Sequence, residues 1–263
     1  MMRLDLMISL AALVVLAGGS VAGFRQPLPR DARFWGLVGA GLAGSAAAAA
    51  ISLHATGFGI ATALWLTAAT ALAVFAALAW IRPVSARLGT LLFPYLAVLA
   101  LVAIAFAGAP GDTAETSAWG LAHAGVALIA NALVTVAAVA ALAVMIQERA
   151  LKARRRSALA GVLPGAAESE GVQGTLLGFA AAALALGVAT GSALQLVETG
   201  RLLVLNHKTV LTVGAMALLA GLSVADLRSG LGGRRLARGI LIGWLVLTLG
   251  FLGVIFIKQI LLA

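Results

Sequence analysis

A chain of 263 residues that is 62% hydrophobic and only 10% charged is far from a soluble domain, which is about 45–50% apolar and about 25% charged. Its apolar runs are continuous and do not alternate, which excludes a transmembrane β-barrel. It has no cysteine, which removes disulfides, Cys-based zinc sites, thiol catalysis and a C-x-x-C-H haem attachment motif.

The expected fold is all-α: one integral-membrane domain over residues 1–263, a polytopic helical bundle with about eight crossings, each long enough for a bilayer core that needs about 20 apolar residues. The first span runs from Leu4 to Gly23, the second from Phe34 to Leu53, the third from Gly59 to Trp80 and the fourth from Leu88 to Ala107. The fifth runs from Trp119 to Gln147, the sixth from Thr175 to Leu196, the seventh from Thr209 to Ala225 and the eighth from Gly239 to Leu262. The pairs Gly19/Gly23, Gly187/Gly191 and Gly239/Gly243 have the small-xxx-small spacing that lets helices approach closely, and are read as packing.

The formal charge is +9. The basic residues lie mostly between apolar spans, and no basic domain lies outside the membrane, so the partner implied is the lipid bilayer and not a nucleic acid. All 18 basic residues except Arg3, Arg201, Lys208 and Lys258 follow spans one, three, five or seven. Because cytoplasmic loops carry the excess of Lys and Arg, the orientation expected is N-out and C-out. A cleaved signal peptide at the N-terminus would leave Arg25, Arg30 and Arg33 outside, against that rule. The longest polar connection, Glu148 to Gly174, is too short for a core of its own.

Three histidines fall near the outer face: His54 ends span two, His123 begins span five and His207 precedes span seven. Neutral imidazole is the commonest metal ligand among side chains and a common axial haem ligand. Each could equally be an interfacial polar residue bonded to a neighbour. A bare metal site would add carboxylates, and the outer acids are few: Asp112, Glu115 and Glu198. Three histidines with so few acids suit a haem pocket better than a zinc centre. His123 lies about 6 Å inside the interfacial Trp119, deep enough for the macrocycle to sit among apolar side chains. Arg201 and Lys208 are candidate partners for the propionates, or simple headgroup contacts. Within the spans the polar residues are few, among them Asn131, Thr190, Gln195 and Thr212, with no mid-membrane acid of the kind ion-coupled transporters use. No Ser-His-Asp, H-E-x-x-H or phosphate-loop pattern supports hydrolase chemistry.

Several segments occur in an order that carries a family resemblance. His123-Ala124-Gly125 opens the fifth span, Leu163-Pro164 with Glu168 and Glu170 precedes Gly178-Phe179 and Thr190-Gly191, and Asn206-His207-Lys208-Thr209 opens the seventh span. Gly232-Gly233-Arg234-Arg235 forms the last cytoplasmic turn, and Gly250-Phe251-Leu252-Gly253 with Phe256-Ile257-Lys258 closes the chain. The second half thereby resembles the bacterial cytochrome c assembly membrane proteins of the CcsA/CcmC type, in their short eight-span YpjD-like or HemX-like branch. The resemblance implies a non-enzymatic, inner-membrane haem-handling protein that assists cytochrome c or respiratory-complex assembly. It implies haem held by outer-face histidines, a role that falls on His123 by position and then on His54. Together with the convergence of the three histidines at the outer face, the expectation is a non-covalent b-type haem with His123 as one axial ligand and His207 or His54 as the second, in a slot among spans two, five and seven. The chain departs from that pattern in the outer loop before span seven, where Ser192 to Asn206 holds neither Trp nor Asp and so lacks the family's W-x-W-D segment. Two further readings stay open at this point: a transporter of a small apolar or haem-like solute, and a ligand-free accessory or regulatory subunit.

Overall fold

A computed structural model describes residues 2–111, 117–154, 157–201 and 207–253; of residues 2–4, 198–199, 207–208 and 252 the backbone alone is described. Helices α1 (Met2–Arg25), α2 (Ala32–Thr56) and α3 (Ile60–Ile81) are followed by a 3-10 turn at Pro83–Leu88 and α4 (Gly89–Ala105). The second half holds α5 (Ala118–Lys152), the short α6 (Ala158–Val162), α7 (Ala166–Thr199), α8 (His207–Ser229) and α9 (Gly233–Thr248), which ends in a π-helical turn at Leu249–Gly253. Among the described residues seven helices are long and apolar enough to cross a membrane. The eighth expected span corresponds to α9 and its π-helical turn; residues 254–263, with Phe256, Ile257 and Lys258, lie outside the described residues. The protein is a multi-pass helical membrane protein.

Helix ends follow local chemistry. Asp31 caps α2 by accepting the Phe34 N–H at 2.9 Å, and Ser117 caps α5 by accepting from Gly120 at 3.1 Å. These caps satisfy amides that have no partner in the first turn. Two helices outrun the apolar spans expected for them. α5 continues through Glu148-Arg149-Ala150-Leu151-Lys152, good helix formers whose late cations suit the C-terminal dipole. α7 starts at Ala166, straight after Pro164 and Gly165, with Glu168 accepting the Gly165 N–H at 3.0 Å.

The bundle is organised on α5, which packs along α7, α9 and α3. Fully buried Trp65, Phe75, Phe93, Leu72 and Leu96 fill the first four helices, while Val136, Ala140 and Val144 line the inner face of α5. The small-residue pairs work as expected. A Cβ on Gly243 would stand 2.6 Å from Leu219, and one on Gly23 would stand 3.0 Å from the Thr90 backbone, so α9 meets α8 and α1 meets α4 at glycines.

The four basic connections meet at one end of the bundle. Arg30 stacks over Trp35 and Trp80, with its guanidinium carbon 4.9 Å from the Trp80 ring. Arg82 donates to the Gly171 carbonyl at 3.2 Å, Gln147 donates to the carbonyls of Ala160 and Pro164 at 2.8 Å each, and Glu148 and Glu170 flank Gly233. Arg155 and Arg156 of this group lie outside the described residues. At the opposite end Gly111 donates to the Thr56 carbonyl at 2.8 Å, which ties the connection after α4 to the end of α2. By the charge rule the basic end is the one expected to face the cytoplasm. A reporter active only in the cytoplasm should therefore give signal when fused after residue 156 and none when fused at residue 263; signal at residue 263 would reverse the orientation.

Candidate functional site

A cavity of about 480 Å³ opens at the end of the bundle away from the basic connections. That volume lies within the about 300–1,000 Å³ of small-molecule sites. Its walls come from one face of α5, from α7, from the start of α8, and from the end of α9 with its π-helical turn; Phe58, in the turn between α2 and α3, closes it from the four helices that precede α5. Departures from α-helical geometry such as this π turn occur often at functional sites. Here the turn brings Gly250 and Phe251 to the cavity wall. Among its described lining residues there is no charged side chain. The polar ones are His123, Asn131, Ser192, Gln195, Thr209 and Thr212.

Of the two histidines whose side chains are described, His123 lies in this wall and His54 does not. The Ser117 cap sets the start of α5 and hence the register of His123, six residues later. Its ring is half-buried and lies flat against α7: a Cβ on Gly191 would stand 2.8 Å from Cε1 and 3.4 Å from each ring nitrogen. Only a residue without a side chain lets the imidazole approach that closely. Nδ1 lies 3.1 Å from Thr190 Oγ1. The Thr190 hydroxyl has two backbone carbonyls to donate to, Leu186 at 2.9 Å and Gly187 at 3.1 Å, and these can only accept. With its single proton directed there, the oxygen accepts, and Nδ1–H of His123 donates to it. In the tautomer that makes this bond the proton is on Nδ1. An imidazole fixed through one nitrogen, with the other in the electron-donating form, is how proteins orient a histidine toward a metal.

Deeper in the cavity Asn131 is only 5% exposed, and its Oδ1 has no hydrogen-bond partner among the described residues. It sits two turns below His123, about 12 Å along α5.

The other expected site residues fall elsewhere. His54, in the last turn of α2, is exposed and does not line the cavity. This cavity is lined by spans five, six, seven and eight, whereas the expected slot lay among spans two, five and seven. Span two points its last turn elsewhere because Gly57, at φ 81°, turns the chain so that Phe58 and not His54 reaches the cavity. Arg201 is exposed just beyond Gly200, the left-handed cap of α7, and does not line the cavity. The backbone of His207 opens α8 two residues before the lining Thr209; the side chains of His207, Lys208 and Glu198 lie outside the described residues, as do Asp112, Glu115 and Asn206. Among the described residues no group of three or more His, Asp or Glu gathers as a metal site. Thr190 and Gly191 carry a role that spacing alone did not reveal: Gly191, read as a packing glycine, is the seat of the His123 ring. Phe58 had no signal in the sequence, since it is one apolar residue in a short turn.

No family model matches the chain, and no solved structure matches it. The chain is 39% identical over 270 residues to a protein of Azospirillum brasilense described as an uncharacterized 28.8 kDa protein in the nifR3-like 5' region, with 99% of this chain and 100% of that protein covered. The chain belongs to the same family as that protein.

Proposed function

We propose that this family handles haem in the bacterial inner membrane and assists cytochrome c or respiratory-complex assembly, by binding and not by catalysis. One observation carries the reading: the Thr190–Gly191 step of α7 seats the His123 ring in the wall of an otherwise largely apolar cavity. The donor set fits haem iron better than a bare cation, because among the described lining residues there is one imidazole and no carboxylate. Bound haem supplies an iron centre that takes nitrogen ligands and changes oxidation state. In this proposal His123 is an axial ligand, and Leu128, Leu184, Val188, Leu247 and Phe251 shield the macrocycle from water. His207, which opens α8 beside the cavity-lining Thr209, is the proposed second ligand, and His54 is a bystander. Arg201 and Lys208, on the two sides of the connection from α7 to α8, are the proposed propionate partners. The absence of the W-x-W-D segment from Ser192 to Asn206 of this chain favours haem binding over haem delivery in this reading.

The histidines test it. Protein purified with adequate haem supply should carry a Soret band. His123→Ala should lose the haem or nearly all of it, His207→Ala should give a five-coordinate spectrum, and His54→Ala should leave the spectrum unchanged. A His123→Ala protein with the wild-type haem content would remove His123 from the site.

A further inference from the structure

At the basic end of the bundle, away from the cavity, two carboxylates converge on a backbone cradle. Glu148 lies in the last part of α5 and Glu170 near the start of α7. Between them runs the connection from α8 to α9, where Gly232 and Gly233 have φ of 22° and 57°, in the left-handed region that favours glycine. A Cβ on Gly233 would stand 3.0 Å from Glu148 Oε1 and 3.7 Å from Glu170 Oε1, and one on Gly232 would stand 3.8 Å from Glu170 Oε2. Asp226 braces the connection by accepting the Gly232 N–H at 3.2 Å. The space that side chains would fill here is therefore faced by carboxylate oxygens from two helices. A second observation marks the same place. Gln173, one turn after Glu170 on the same face of α7, is 0% exposed. Its Nε2 donates to the Gly233 carbonyl at 3.5 Å, and its Oε1 has no hydrogen-bond partner among the described residues. Buried polar atoms nearly always find a partner, so an orphaned carboxamide oxygen beside two carboxylates calls for a water or an ion.

The donor inventory narrows the occupant. Ionised carboxylates and a carboxamide oxygen are all acceptors, and oxygen-only donor sets select hard cations. No group of three acids gathers among the described residues, so the set is two carboxylates and one amide oxygen. That is too few for a closed calcium cage of six to eight oxygens, and it suits an ion that keeps several of its waters, as Mg²⁺ does. The cations nearest in sequence do not take the place. Arg149, beside Glu148, is exposed. Arg234, beside Gly233, has its Nε buried and unpartnered, and among the described residues no ion pair joins it to either glutamate. We propose that Glu148, Glu170 and Gln173 form a site for a hydrated divalent cation of the Mg²⁺ class. The bound ion ties α5 and α7 to the connection between α8 and α9, whose helices line the cavity at their other ends. The site's chemistry is independent of haem.

The test uses Mn²⁺, which shares the octahedral oxygen coordination of Mg²⁺ and is paramagnetic. Purified full-length protein in a neutral, lipid-free detergent is titrated with Mn²⁺ at fixed ionic strength, and the sharp electron paramagnetic resonance signal of the free ion is followed. One ion per chain should bind; Mg²⁺ should displace it, and Na⁺ at matched ionic strength should not. Glu148→Gln and Glu170→Gln remove one charge each and keep the shape. Each should weaken binding about tenfold or more, because ligand charge sets affinity at such sites. Gln173→Leu, which removes the orphaned oxygen, should weaken it as well. The thermal midpoint of the wild type should rise on adding Mg²⁺, since a ligand of the native state stabilises it, and that rise should be lost in both glutamine variants. Far-ultraviolet circular dichroism controls for folding. No Mn²⁺ binding by the wild type would overturn the proposal and leave the Gln173 oxygen to water. Binding that both Glu148→Gln and Glu170→Gln retain at wild-type affinity would place the ion on other acids and overturn it equally.

Discussion

Gly191→Ala is expected to lower haem affinity about 10–100-fold, the range seen when the support of a metal-ligating histidine is removed, while the bundle still assembles. The added methyl would lie 2.8 Å from His123 Cε1. The helix itself welcomes the change, since alanine is favoured over glycine in a helix interior by about 1 kcal/mol. The damage is therefore local. The imidazole must move away from α7, and its 3.1 Å link to Thr190 is already near the long end of a good N–H···O bond. A shift of a few tenths of an ångström releases Nδ1 and with it the orientation of Nε2. Haem titration of the purified variant, with far-ultraviolet circular dichroism as a control on folding, measures the effect. Wild-type affinity in this variant would mean that the ring is not held against Gly191.

Gly111→Ala acts on the far wall and is expected to reduce both stability and binding. Its Cβ would stand 2.6 Å from Gly59 N, 2.7 Å from the Phe58 carbonyl carbon and 2.8 Å from Thr56 O. These are backbone atoms, so no rotamer change relieves the overlap. Overpacking of this kind costs about 1–3 kcal/mol, and the 2.8 Å bond from Gly111 N–H to Thr56 O is put at risk as well, worth about 1 kcal/mol. The turn that must give way carries Phe58, the one described cavity residue that precedes α5. It is otherwise braced by Thr62, whose hydroxyl lies 2.9 Å from both the Gly57 carbonyl and the Ser52 hydroxyl. A lower thermal midpoint together with weaker haem binding is the expected outcome. Phe58→Ala should weaken binding with little change in midpoint, which separates the wall from the brace. An unchanged midpoint for Gly111→Ala would show that the two connections do not press on each other.

The polytopic helical bundle and the end at which the described residues lie were readable because both depend on length and charge, which a linear sequence displays directly. Trp65 and Phe75 are apolar and buried, but Leu227 and Val197 are equally apolar and face outward at 84% and 82% exposure. Lipid is as apolar as the protein interior, so the contrast that reveals the inward face of a helix in a soluble protein is missing here. This explains the fate of the three histidines. Depth placed His123 and His54 at the same end, but only helical phase separates a ring seated on Gly191 from one exposed on α2. The polar residues Asn131, Thr190, Gln195 and Thr212 were visible as rare letters in apolar runs. What could not be read was that Thr190 bonds His123 across 67 positions of chain, or that Asn131, Gln195 and Thr212 line one cavity with it.

The most direct test of the central claim is titration of the purified wild-type protein, freed of pigment, with haem in detergent or nanodiscs, followed by absorbance. The account predicts saturable binding of one haem per chain with a ligated-iron Soret band that His123→Ala abolishes. No Soret shift with the wild type at any haem concentration, under conditions in which the helical bundle is intact, would contradict it.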